Sequence, residues 1–185
     1  YITALAAMFG PVKRLAGFAA VASETRTITD MRRPDYGESF SVESPTTVAG
    51  TLEHDSGVFA HLTTTSDGHR YGPELSVVGT EGWLTCNDPN MFGGQVIVHR
   101  RGGEPMQMPL THQYNDRNRG LGLVEMLFAH AAGRPHRASA ELAYHCLDVM
   151  LGLKESSESG TYHSLERVCE RPERFAPGHV ESPLL

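Results

Sequence analysis

The chain has 185 residues, 39% of them apolar, which is enough for one domain with a core of its own. Its net charge is −6, and its Lys and Arg residues fall in short pairs such as Arg32-Arg33 and Arg100-Arg101, so no basic stripe with interleaved aromatics offers itself to nucleic acid. The three cysteines, Cys86, Cys146 and Cys169, are too few and too far apart for a disulfide framework or a zinc site, and read as reduced thiols of a cytosolic protein.

The opening segment, "YITALAAMFG", carries a helical apolar pattern at Tyr1, Ile2, Leu5, Ala6 and Phe9. No Ser, Thr, Asp or Asn stands before it to cap the first turn. No basic run precedes it, as a secretory signal would require, and no stretch reaches the roughly 18 apolar residues of a membrane span. The expectation is a trimmed piece of a longer soluble protein. Gly10-Pro11 stops the helix. Val12 to Ala22 reads as a strand, with Val12, Ala16, Phe18 and Ala20 on one face and Lys13, Leu15 and Val21 on the other. Thr29 to Pro45 is polar, holds Pro34 and Gly37, and reads as a loop.

Val48 to His54 and Val58 to Thr65 flank "DSG" and form an expected hairpin. Leu75 to Val78 leads through "GTEG" to Trp83 to Cys86. Gly93-Gly94 opens "QVIVHR", and Gly102-Gly103 closes it. These short turns imply a mostly antiparallel sheet of about five or six strands.

From Asn118 the period becomes helical, with Leu121, Val124, Phe128 and Ala131 in register and Gly133 and Pro135 at the end. Ser139 is an N-cap for a second helix whose stripe is Leu142, Cys146, Val149 and Leu153. The tail, "RPERFAPGHVESPLL", reads as peripheral. The layout is α+β: one open, mostly antiparallel sheet with helices packed on one face. In "VFAHLTTT", Val58, Ala60 and Leu62 alternate with Phe59, His61 and Thr63, and in "VIVH", Val96 and Val98 oppose Ile97. Neither face is strongly charged. Helices can cover one face, and a second subunit is the simplest cover for the other.

Ten histidines invite a metal search, yet no HExxH or HxH pattern exists, and His130 and His136 straddle a turn. "GLGLVE" fails as a dinucleotide loop, because Glu125 stands where a small residue belongs and "NDRNR" before it is no buried strand. No Walker or GxSxG motif is present. Some polar residues do sit where apolar ones are expected: His145 beside the stripe of the last helix, His69, Arg70 and Tyr71 before "ELSVVGTEG", and Arg117 and Arg119 at a helix start. Singly, each suits a surface or a satisfied core position better. As a set they would line a polar pocket for a sugar or polyol.

"YITALAAMFGPVKR", "SVVGTEGWLTCNDPNMFGG", "GRPHRASAELAYHCLDVMLGLKESSESG" and "CERPERF" resemble, in that order, the C-terminal domain of the Gfo/Idh/MocA oxidoreductases, the glucose–fructose oxidoreductase and inositol dehydrogenase family. The resemblance runs from Tyr1 to about Pro177. It implies a substrate-binding and oligomerisation domain over 1–177, a peripheral tail over 178–185, and an N-terminal Rossmann domain outside this sequence. It implies hydride transfer between a sugar or polyol and NAD or NADP, with the cofactor bound mainly by that other domain and none expected in this chain.

The family's catalytic Lys lies in an "EKP" motif, and its Asp-x-x-x-His-type motif lies just before the segment matching "YITAL". No catalytic or metal-binding residue therefore carries over. Implied substrate contacts are His69 and Tyr71, with Arg119 and His145 beside them. The implied partner is a second copy, as a dimer through the open sheet face or a tetramer, in the cytoplasm, with no membrane or nucleic acid. The alternative is a standalone, non-catalytic dimerising or ligand-binding module.

Overall fold

A computed structural model describes residues 1–68, 74–116, 119–166 and 169–178. The chain forms two compact units. One comprises the described parts of Tyr1–Met8, Arg70–Ala143 and Arg171–Leu185, and the other comprises those of Phe9–His69 and Tyr144–Glu170.

The second unit is built on a four-stranded antiparallel sheet of order β10-β1-β4-β5. Its strands are β1 (Val12–Ala20), β4 (Thr47–His54), β5 (Phe59–Thr65) and β10 (His163–Ser164). The expected "DSG" turn joins β4 to β5: Gly57 takes φ +82°, and its N–H donates to the His54 carbonyl at 2.9 Å. Most of helix α3 (Ala140–Ser159) covers the inner face. Leu15, Leu52, Val149 and Leu153 are buried there. Gly17 and Gly50 sit directly opposite each other and leave the hollow that Leu153 fills. A Cβ at Gly17 would lie 2.7 Å from Leu153 Cδ2, and one at Gly50 would collide with the same methyl.

The expected face of β1 is inverted. A register shift between Val12 and Arg14 places Val12 and Leu15 on the same buried side, although simple alternation separates them. Phe18 then points outward and is 80% exposed. Arg14 and Lys13 form ion pairs with Glu53 along the outer rim.

Along its other edge β1 pairs with β10 only at Arg14 and Leu15. Farther along, the Gly17 N–H donates to Ser156 Oγ at 3.1 Å and the Ala19 N–H to Ser157 Oγ at 2.9 Å. The Ser156 hydroxyl in turn donates to the Thr161 carbonyl at 2.6 Å. The "ESSES" end of α3 thus serves β1 where β10 stops. His163 of β10 lies over Gly152 of α3, between Asp148 at 4.0 Å and Glu155 at 3.1 Å. A Cβ at Gly152 would come within 2.6 Å of its ring.

The segment read as a loop holds β3 (Ser39–Ser41), which pairs with β2 (Thr25–Thr27) just before that segment as a second, two-stranded sheet. Both strands are short and polar, with no apolar alternation to announce them.

The first unit carries a four-stranded antiparallel sheet of order β6-β7-β8-β9. Its strands are β6 (Leu75–Gly79), β7 (Gly82–Cys86), β8 (Val96–Arg100) and β9 (Met106–Met108). The register puts Leu75, Val77, Leu84, Cys86, Val96 and Val98 on one face. Val78, Trp83, Ile97 and His99 occupy the other, where Trp83 stacks flat on His99 with centroids 4.6 Å apart. The α+β class and the antiparallel pairing hold. The strands, however, are shared among these three sheets rather than laid into one.

This unit also holds all but the last residue of α1 (Ile2–Phe9), all of α2 (Leu121–Ala131) and the first turn of α3. Ser139 caps α3 as expected, its Oγ accepting the Leu142 N–H at 3.1 Å. The buried side of α2 differs from the expected stripe: Val124 is exposed, and Glu125 and Ala129 are buried. The cause is ionic. Glu125 Oε1 accepts from Arg134 at 2.6 Å and from Arg137 at 2.8 Å, and Oε2 accepts the Arg137 backbone N–H at 3.0 Å.

Arg137 also stacks over Phe175 at 4.2 Å and donates to the Glu173 carbonyl at 2.6 Å. The segment leading to Gly178 is thereby fastened. His112 meets the Phe175 carbonyl at 3.0 Å, and the Gly178 N–H donates to the Thr111 carbonyl.

Candidate functional site

The polar grouping with the best claim to a ligand lies in the first unit, on the loop between β7 and β8. Its shape follows from "NDPNMFGGQ". Asn87 closes the loop twice: its N–H donates to the Gln95 carbonyl at 3.2 Å, and its side-chain oxygen accepts the Gln95 N–H at 3.0 Å. Asp88 turns the chain by accepting the Asn90 N–H on Oδ1 at 2.8 Å. Gly94 has φ +116°, and a Cβ there would lie 2.5 Å from Asn87 Cγ. A Cβ at Gly93 would strike the Asn115 carbonyl. Only glycines let the loop close so tightly.

Four side chains are linked along this loop. The Tyr1 hydroxyl donates to Asp88 Oδ1 at 3.0 Å. Arg119 donates to the Asn90 carbonyl at 3.2 Å and to its side-chain oxygen at 3.1 Å. The Arg119 guanidinium also stands 5.8 Å from the centre of the Phe92 ring. Partial burial and the Asp88 carboxylate both push the Tyr1 phenol above its usual range. Phenol, carboxylate, amide and guanidinium in sequence offer both donors and acceptors, as a hydroxylated ligand requires.

Of the four expected substrate contacts, Arg119 alone is found in this group. His69 and Tyr71 lie outside the described residues. His145 belongs to the other unit, is 0% exposed, and accepts the Val12 N–H on Nε2 at 2.9 Å. Burial drives its pKa down. Sequence reasoning passed over Tyr1, Asp88 and Asn90. The "DPN" turn was the available signal, since Asp followed two residues later by Asn marks an Asx turn that fixes a carboxylate in place.

A groove of about 240 Å³ in the second unit lies between Phe18 and Tyr162. Its floor hydroxyls, Ser156 and Ser157, are already engaged with β1. Among the described residues no cluster of three or more His, Cys, Asp or Glu side chains could hold a metal ion. No helix there is long and apolar enough to cross a membrane. "GLGLVE" does not fit a dinucleotide: among the described residues no strand lies between the end of β9 at Met108 and Gly120, and Glu125 is committed to its two arginines.

No family model and no curated protein matches the chain. Solved structures do match. Apo levoglucosan dehydrogenase aligns with a TM-score of 0.71 at 14% identity, covering 91% of this chain and 50% of that one. The same enzyme in complex with NADH and L-sorbose gives 0.67 at 14%, covering 86% and 47%. Aldose-aldose oxidoreductase from Caulobacter crescentus, complexed with glycerol, gives 0.65 at 16%, covering 88% and 44%. Identities this low establish the fold. The chain spans half the length, or less, of the structures it matches.

Proposed function

We propose that this chain, which shares its fold with sugar-acting oxidoreductases of the Gfo/Idh/MocA type, is the substrate-lining and oligomer-forming domain of an NAD(P)-dependent enzyme of that kind. The observation that carries the reading is a match to nearly all of this chain but only half of each dehydrogenase. The remaining half is assigned the cofactor and the hydride chemistry. This chain supplies hydrogen-bonding groups to a sugar or polyol, among them Arg119 and the Asp88–Asn90 turn. His145, buried in the second unit, is assigned to the fold and not to the substrate. We place the enzyme in the cytoplasm.

Kinetics of the chain joined to its upstream sequence test this. The joined protein should oxidise a polyol or sugar with NAD or NADP. Arg119→Ala should raise KM for that substrate several-fold and leave the cofactor affinity unchanged. The present chain alone should leave NADH fluorescence unaltered. Micromolar NADH binding by the chain alone would overturn the division of labour.

The oligomer is assigned to the outer face of the β1-β4-β5 sheet, with a second copy as its occupant. Phe18 and Phe59 are 80% and 62% exposed there, with the small residues Ala49 and Thr51 between them. A face with two exposed rings, whose charges are paired at one end as Arg14 and Lys13 with Glu53, suits a symmetric dimer. Phe59→Asp should convert the dimer to monomer in light scattering. A monomeric parent chain at high concentration would refute the assignment.

A further inference from the structure

Two histidines of the second unit take no part in the proposed site, and both are fully enclosed: His54 is 1% exposed and His145 is 0%. Each holds the backbone where the chain turns into β1. His54 Nδ1 meets the Gly10 carbonyl at 2.7 Å, and His145 Nε2 meets the Val12 N–H at 2.9 Å. These partners fix the tautomers. A carbonyl can only accept, so His54 carries its proton on Nδ1. A backbone N–H can only donate, so His145 Nε2 presents its lone pair and the proton sits on Nδ1. Phe9 closes the corner edge-on to the His54 ring at 5.7 Å.

The remaining nitrogens, His54 Nε2 and His145 Nδ1, are buried and have no hydrogen-bond partner among the described residues. A metal does not suit them, because His145 Nδ1 is protonated and no third ligand gathers there among the described residues.

We infer that His145 is a proton-operated latch, closed only while its ring is neutral, that works beside the His54–Gly10 bond to hold the Gly10–Val12 corner. A protonated His145 would turn a second N–H toward the Val12 N–H and lose that bond. The charged groups facing His145 are Asp148 on α3 and Asp55 after β4, which favour the proton, and His54, which opposes it. Burial opposes it most, and the net direction is down from 6.5.

The sign follows. Above pH 6.5 the open and closed states are both neutral and the latch is at full strength. Below pH 6.5 the open state takes up a proton first, so closure weakens by about tenfold per pH unit until His145 itself titrates in place.

Imidazole 15N spectra and amide exchange on the whole chain test the latch. The expected spectra at pH 7.5 show the neutral Nδ1–H tautomer for His145 and a proton on Nδ1 of His54. The protection factor of the Val12 amide should fall about tenfold per pH unit below 6.5, while that of Leu84 in the other sheet falls less. His145→Gln, whose side-chain carbonyl can accept the Val12 N–H without titrating, should abolish that slope. The latch is overturned if either ring carries its proton on Nε2, if His145 titrates near 6.5 in the folded chain, or if Val12 protection stays flat down to pH 5.5. The spectra need no variant, so the inference stands or falls even where His145→Gln fails to fold.

Discussion

Replacing Gly50 by valine is expected to destabilise the chain by about 3 kcal/mol, at the upper end for an overpacked core position. Its new Cβ would meet two obstacles of different kinds. One is the Leu153 methyl, which can rotate aside. The other is the Ala16 carbonyl at 2.8 Å, which belongs to the neighbouring strand and cannot move without parting β1 from β4. Gly50→Ala should cost less, about 1–2 kcal/mol, because it adds one carbon to the same gap. Urea unfolding checks both. The double variant Gly50→Ala with Leu153→Ala separates the obstacles: removing the methyl should recover only part of the loss beyond the cost of Leu153→Ala alone. Full recovery would show that the carbonyl exerts no constraint.

Glu125→Ala is the second large effect expected. It leaves Arg134 and Arg137 without the carboxylate that orders the turn between α2 and α3, and with it the hold of Arg137 on the segment carrying Phe175. Breaking a fully buried pair costs about 3–5 kcal/mol. The arginine side chains here are 37% and 24% exposed and can recover water, so about 2–3 kcal/mol is expected.

The pH dependence has a definite sign. Burial works to raise the Glu125 carboxyl, and the hydrogen bonds and charges of Arg134 and Arg137 outweigh it, so the carboxyl sits below its usual 4.5. The stabilisation is complete above 4.5 and is lost as pH falls through the lower folded value. The parent's stability should therefore drop on acidification more steeply than that of Glu125→Gln. Parallel acid profiles would show that the ion pairs contribute nothing.

Local chemistry made much of the fold legible. The β4–β5 hairpin followed from "DSG" between β-branched runs, and the start of α3 from Ser139 before an apolar stripe. What escaped was set by partners far away in sequence. The phase of β1 depends on a register shift against β4, and no window of β1 alone contains it. β10 is two residues long and exists because β1 offers it an edge. The buried face of α2 was missed because Glu125 reads as a solvent residue until Arg134 and Arg137 fold back on it. At the candidate site Arg119 was visible as a charge near a helix start. Tyr1 and Asp88, 87 positions apart, could be joined only by the fold.

The serine hydroxyls at the end of α3 have a consequence for assembly. Strand edges invite other strands, and β1 would be such an edge beyond β10. Ser156 and Ser157 occupy the N–H groups an incoming strand would need. Within that sheet β5 is the long outer strand, unpaired on its far side among the described residues, and Phe59 to Thr65 carries neither proline nor lysine to blunt it. Two chains meeting edge to edge there would pair their long outer strands and leave the two-residue β10 as the other outer strand of each sheet. Strand addition through this sheet thus favours a pair over an extended array.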